Sequence, residues 1–463
     1  MTSGALCLVL LAAGQAAAGY PGFRIRPVSS EDPETRLGAE AGERLILTSY
    51  VEAGRAAEAR NLSKVTGGPF PPDIPSYSGF FTVDKRHGSN LFFWFFPAER
   101  DYENAPVLVW LQGGPGASSL YGLFMEVGPF FVSEDGESLI RNPYSWHKNH
   151  SIVFIDNPVG AGFSYTGDEA GYVTTEQEIG EQLHAALVQF FSVFPELQEN
   201  HFFICGESYA GKYIPALGHT IHMKNQNASL KINLKGLAIG DGAVDGINML
   251  QYSDIVYQWG LVDNTTWRQM KDLEDQAVKY IQAGDYNRAL DMVSADLGTF
   301  GAAAKVGLYN LLTDSDEIDN HYAKLLERAS VRAAIHVGRQ VYHPSSDVAY
   351  DKLQGDQMRT VVPWVEELLD AGYRVVFYNG QLDIIVAYPL TVRVLQRLQF
   401  NAAQEYKTAS RKAWLVDGRV TGYTKTAGNM TEVLVRGAGH MVPKDQPAAG
   451  FHLIYSITRG TLR

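Results

Sequence analysis

Short apolar runs and longer stretches of helical spacing alternate along this chain. The runs at 91–96, 107–111, 152–155, 201–205, 236–239, 374–378 and 433–435 read as buried strands. Helical stretches such as 175–194 separate them. The alternation predicts an α/β protein with a central, mostly parallel mixed sheet, doubly wound and flanked by helices. Between 241 and 363 the pattern changes to long polar–apolar helical sequence, including 264–281 and 286–293, and strand character returns at Arg374. Residues 242–363 are therefore expected to form an inserted, largely helical cap within one domain spanning 19–463, not a second complete domain. The Gly- and Pro-rich stretch 66–75 is expected to be an ordered loop, and no internal repeat interrupts the pattern.

The loops after these strands carry chemistry. Gly206-Glu207-Ser208-Tyr209-Ala210-Gly211 joins the 201–205 run to a helical stretch, so a serine sits on a tight strand-to-helix turn. Glycines permit that turn, which lifts the hydroxyl out of the sheet to where a base can reach it. A nucleophile elbow of this kind requires Asp or Glu and then His, each just beyond a later strand. Asn379-Gly380-Gln381-Leu382-Asp383 turns off the 374–378 run, and Arg436-Gly437-Ala438-Gly439-His440 follows Thr431-Glu432-Val433-Leu434-Val435. Ser208 is thus expected as nucleophile, His440 as the base that returns its proton to the leaving amine, and Asp383 as the acid that orients the imidazole. Asp241, which ends the 236–239 run, is the alternative acid. The oxyanion needs fixed donors: the Tyr209 amide follows from the elbow, and Gln112-Gly113-Gly114-Pro115-Gly116 offers a second, that of Gly114. The arrangement is that of an α/β-hydrolase fold.

Four blocks, in order, resemble the signature segments of the serine carboxypeptidases: Trp110-Leu111-Gln112-Gly113-Gly114-Pro115-Gly116, Ile155-Asp156-Asn157-Pro158-Val159-Gly160-Ala161-Gly162-Phe163-Ser164-Tyr165, the Ser208 elbow, and Gly439-His440-Met441-Val442-Pro443. Asn90-Leu91-Phe92-Phe93-Trp94-Phe95-Phe96-Pro97-Ala98 and Tyr378-Asn379-Gly380-Gln381-Leu382-Asp383-Ile384-Ile385-Val386 look closest to the vitellogenic carboxypeptidase-like branch. The resemblance implies removal of single C-terminal residues from peptides and proteins at acidic pH, with no cofactor and no metal. It also implies that Glu207 and Glu126 receive the substrate carboxylate, that Trp110 and Gln112 complete their network, and that Tyr121, Met125 and Met441 surround the leaving side chain. Lys212 is the one cation in these motifs near Ser208. Two acids can replace a cation if they hold protons, and burial together with like-charge proximity raises carboxyl pKa values enough for that in mild acid. Ionisation toward neutrality then repels the substrate, with an apparent pKa belonging to the pair.

The chain departs from the family pattern at several positions. Gln112 stands where many relatives carry Asn, keeping the amide but lengthening its reach. Ala117 and Val386 stand where relatives place cysteines. With only Cys7 and Cys205 present, and Cys7 inside an expected signal peptide at 1–18, the mature chain keeps one thiol, read as a small apolar strand residue. The signal reading rests on apolar 6–13 and on Ala16-Ala17-Ala18. It points to a secreted or endolysosomal protein with no membrane span, and makes Asn61, Asn149, Asn227, Asn264 and Asn429 usable glycosylation sequons. Composition is that of a soluble globular protein, 45% hydrophobic and 19% charged. A net charge of −12 without a basic run argues against nucleic acid as a partner. Asp156 is expected to order its turn, and His219 with His222 to be solvated helix histidines lacking a third metal ligand. An acyltransferase on the same scaffold and a non-catalytic binding protein are the alternatives.

Overall fold

The computed structural model describes residues 39–316 and 318–462, so the expected signal peptide lies outside the described residues. One ten-stranded sheet dominates it, in the order β1-β2-β6-β3-β7-β8-β9-β12-β11-β10, where β1 is Tyr77–Asp84, β2 Ser89–Phe96, β3 Val107–Leu111, β6 Ser151–Ile155, β7 Phe202–Glu207, β8 Leu234–Gly240, β9 Arg374–Gly380, β10 Lys412–Val416, β11 Arg419–Ala427 and β12 Met430–Val435. From β6 through β12 every neighbouring pair is parallel, and an antiparallel pair of strands flanks this centre on each side. A separate ribbon pairs β4, Phe130–Val132, with β5, Leu139–Arg141.

Apart from β2, which is antiparallel but also buried at every residue, the strands expected from apolar runs are the central ones, because a parallel strand covered on both faces is apolar at nearly every position. In β3 and β7 every residue is buried. The strands β10 and β11 escaped that reading: Lys412, Ala413, Leu415, Arg419 and Val420 are exposed, as expected of antiparallel strands with one solvated face. The helix Glu176–Val193 begins where a capping box forms, with Thr175 accepting from the Glu178 amide and Glu178 reaching back to the Thr175 amide. It packs beside the helix Ala210–Asn225, which in turn packs beside Val362–Asp370.

Between β8 and β9 the chain is largely helical. Asn264–Gln282 and Tyr286–Ala304 form an antiparallel hairpin, each started by an aspartate, Asp263 or Asp285, that caps a first-turn amide. The second of these helices runs further than the 286–293 expected for it. Gly298 and Gly301 weaken the local preference, but Leu297 and Phe300 are buried and their packing carries the helix on. In a parallel sheet with this connectivity, the carboxyl ends of β3, β7, β8, β9 and β12 share one edge. Five loops therefore meet there, and the next residues along them include Gln112, Ser208, Asp241, Asp383 and His440.

Candidate active site

Ser208 follows β7 with φ 64°, the left-handed conformation that a side-chain-bearing residue adopts only when its surroundings impose it. Its amide donates to Gly240 O at 2.9 Å, and its carbonyl accepts from the Gly211 and Ala243 amides at 2.9 and 3.1 Å. The glycines around it are steric requirements: a Cβ on Gly206 would sit 2.2 Å from Leu111 O, and one on Gly211 would sit 2.7 Å from the Ala243 amide. The Gly114 and Tyr209 amides donate no backbone hydrogen bond among the described residues, and both residues line the cleft that opens on Ser208.

His440 Nδ1 donates to Asp383 Oδ2 at 2.9 Å, and both side chains are fully buried. Asp383 Oδ1 accepts from the Val386 amide at 3.3 Å, while the His440 amide is fixed to Tyr309 O at 2.7 Å. With Nδ1 as donor, Nε2 is left as an acceptor, and it has no partner among the described residues. The histidine therefore bonds to Asp383. Asp241, the alternative, lies beside this pair and instead accepts from the Gly380 amide at 2.9 Å.

Trp110 Nε1 donates to Gln112 Oε1 at 3.0 Å, and Gln112 Nε2 donates to Glu207 Oε1 at 2.7 Å. Both ends of the Gln112 amide are thus used, and the longer side chain reaches Glu207 directly. Glu207 and Glu126 are almost completely buried and stand within hydrogen-bonding reach of each other, and among the described residues no donor is placed on Glu207 Oε2 or on either Glu126 oxygen. Burial raises the pKa of Glu126, and burial followed by the Glu126 charge raises that of Glu207 well above the ordinary value. Lys212 turns away from this pair: its ammonium, fully buried, donates to Gln357 O at 3.1 Å and to Asp356 O, and stands 3.5 Å from Asp356 Oδ2.

The expected leaving-residue positions fall on the Glu126 side. Tyr121 and Met125 are buried on the helix Leu120–Met125, at whose end Glu126 sits, and Met441 follows His440. The motif reading missed Lys444, whose Nζ donates to Tyr121 Oη at 3.1 Å and whose charge opposes the rise in the Glu126 pKa. It also missed Asp445, which ties the His440 loop down by accepting from the Gly439 amide at 2.7 Å and Asn310 Nδ2 at 3.0 Å. Both follow Met441-Val442-Pro443 directly, and that adjacency was the available signal. The cleft on Ser208, about 80 Å³ and open to solvent, is walled by Gly114, Tyr209 and Val386 and by Met249, Leu290 and Val293 from the segment between β8 and β9.

Residues away from the centre have ordinary roles. Asp156 accepts from Ser118 Oγ at 2.6 Å, the Ser119 amide at 3.0 Å and the Phe163 amide at 2.9 Å, so it orders two loops. His219 stacks on Trp364 and lies 3.2 Å from Glu367, while His222 meets Tyr373 Oη at 3.2 Å, which separates their partners. They pack on neighbouring elements instead of standing free in solvent. Cys205 is buried, and burial pushes its thiol up. Asn61, Asn227, Asn264 and Asn429 are exposed and Asn149 is half-buried. No helix among the described residues is long and apolar enough to cross a membrane.

A sheet that delivers a serine elbow, an acid and a histidine in this order is an α/β-hydrolase. The solved structure of Kex1(Δ)p, a prohormone-processing carboxypeptidase from Saccharomyces cerevisiae, matches it with a TM-score of 0.75 at 22% identity, over 87% of this chain and 96% of that one. The family described as serine carboxypeptidase matches residues 67–460. The chain is 46% identical over 451 residues to the venom serine carboxypeptidase of Apis mellifera, covering 95% of this chain and 94% of that one. It is 45% identical over 435 residues to the vitellogenic carboxypeptidase of Aedes aegypti, covering 91% of each. The chain belongs to the serine carboxypeptidase family.

Proposed function

We propose that this serine carboxypeptidase releases single C-terminal residues from peptides and proteins in acid, using Ser208, His440 and Asp383 and a protonated pair of glutamates. Ser208 Oγ attacks the terminal peptide carbonyl as its proton passes to His440 Nε2, and the Gly114 and Tyr209 amides receive the oxyanion. The C–N bond then breaks, Nε2 gives the proton to the leaving amine, and an acyl-enzyme remains. Water, deprotonated by the same nitrogen, attacks the ester and frees Ser208.

The observation that carries this reading is the pair of buried carboxyls on Glu126 and Glu207, facing each other by the serine loop with three oxygens that receive no donor among the described residues. Unmet buried carboxyl oxygens are costly unless something arrives to pair with them. A protonated pair donates to a carboxylate, which an endopeptidase or lipase substrate does not present at this point. Tyr121, Met125 and Met441 then surround the departing side chain, and region 242–363 caps the acyl side of the cleft. The exposed sequons and the expected signal at 1–18 favour synthesis through the secretory pathway, with a secreted or endolysosomal destination.

The test is release of the terminal amino acid from a blocked dipeptide, compared with its C-terminal amide, from mildly acidic to neutral pH, with wild type and Ser208→Ala. Release favoured in acid, dependent on the free carboxylate and lost in Ser208→Ala is the expected result. Equal turnover of the amide would remove the glutamate pair from the mechanism.

A further inference from the structure

Asp241 is given no part in the steps above. It follows β8 in a strained conformation, φ 40°, and is fully buried. Its amide donates to Tyr378 O at 2.7 Å, its Oδ1 accepts from the Gly380 amide, and its buried Oδ2 receives no donor among the described residues, while the carboxyl stands within hydrogen-bonding reach of that of Asp383. One carboxyl oxygen from each of Asp241 and Asp383 and one ring nitrogen of His440 lie within 4.8 Å of one another.

Two carboxyls this close and this dry do not both ionise. Asp383 accepts from the Val386 amide and from His440, whereas Asp241 accepts from one amide only. Those donors place the anion on Asp383 and the proton on Asp241. We propose that Asp241 is a positioning residue that carries a proton on Oδ2 toward the Asp383 carboxylate, holding the acid in register and the pair at one negative charge.

The consequence falls on His440. A second anion beside it would add to the negative charge that its ring faces. The titratable groups around Asp241 are Asp383 and Tyr378 from β9 and its loop, His440 from the loop after β12, and Glu207 at the end of β7. Burial, and then the Asp383 charge, raises the Asp241 pKa well above its ordinary value.

This inference rests on the triad reading above, and it is tested with the full-length enzyme. An Asp241→Asn side chain keeps both the acceptor for Gly380 and a neutral donor for Asp383. The acidic limb of kcat/KM is expected to stay within about 0.3 pH units of wild type, with kcat reduced a few-fold. Asp241→Ala is expected to lose kcat by at least about tenfold with KM little changed, since the donor is gone. Movement of the Asp241→Asn acidic limb downward by more than about one unit would show a charged Asp241 in wild type and overturn the proposal. Should Asp241→Asn not fold, the downfield Nδ1 proton resonance of His440 decides. A resonance with no inflection beyond that of the ring itself supports the proposal, and a further inflection that persists in Glu207→Gln overturns it. Absence of amino-acid release by wild type would sink the carboxypeptidase reading alone, because the resonance needs no substrate.

Discussion

Replacing Glu207 by Gln tests the carboxylate clamp where its parts are coupled. Glu207 Oε1 accepts from Gln112 Nε2 at 2.7 Å, and Oε2 is the free position. In Glu207→Gln the amide oxygen keeps the Gln112 bond, which turns the NH2 toward the substrate carboxylate. A donor is retained, but it no longer depends on a proton being bound. In wild type, KM should climb as the pair ionises, by up to about tenfold per pH unit for each proton lost. In the variant, Glu126 titrates without a partner acid, so the climb should begin at higher pH and be shallower. Below that range a hydrogen bond to a charged group, about 1.5–3 kcal/mol, is exchanged for one with less suited geometry, and KM should rise less than about tenfold. Glu207→Ala removes the donor and strands Gln112, so its KM should rise about 10- to 100-fold in acid, with the gap to wild type closing as the wild-type pair ionises. The assay is kcat and KM for a blocked dipeptide across mildly acidic to slightly alkaline pH. A Glu207→Gln profile that overlays wild type would refute the argument, since some other group would then be titrating.

Further outcomes follow from the same geometry. Lys444→Gln removes a charge that holds the Glu126 pKa down, so the rise of KM with pH should move to higher pH, read in the same assay. Gly206→Ala drives a Cβ against Leu111 O and should destabilise the fold by about 3 kcal/mol, seen as a lower urea midpoint at unchanged slope. Burial raises Glu176 to about 8 and Asp296 to about 9, above their unfolded values. Their contribution is fully present below about pH 4 and is lost as pH rises through those folded values, so thermal midpoints should fall from pH 5 to pH 8. Asp156→Ala leaves the Ser118 hydroxyl and the Ser119 and Phe163 amides without their acceptor and should cost several kcal/mol in the same urea titration.

The sequence by itself determined the parts of this protein that local chemistry specifies. Glycines on either side of Ser208 permit a tight turn directly after an apolar run, so the elbow was legible. The central strands were legible because a strand buried on both faces is apolar throughout, and the order Ser, Asp, His follows from the connectivity such strands allow. The family blocks pointed to the glutamate pair. Tertiary structure decided what depends on residues meeting across the sheet edge. Asp241 and Asp383 end adjacent parallel strands, and nothing local to either says which one the histidine reaches; the placement of the β12 loop settles it at 2.9 Å for Asp383. The motif lists Lys212 as the nearby cation, yet the side chain folds back on Asp356 and Gln357, about 145 residues on, while Lys444 comes in from the His440 loop. The strands β10 and β11 took their structure from the sheet, β11 pairing with β12 and β10 with β11, because half-solvated strands carry too weak an apolar signal to announce themselves. Sequence names the groups, and the common edge of five parallel strands sets which of them touch.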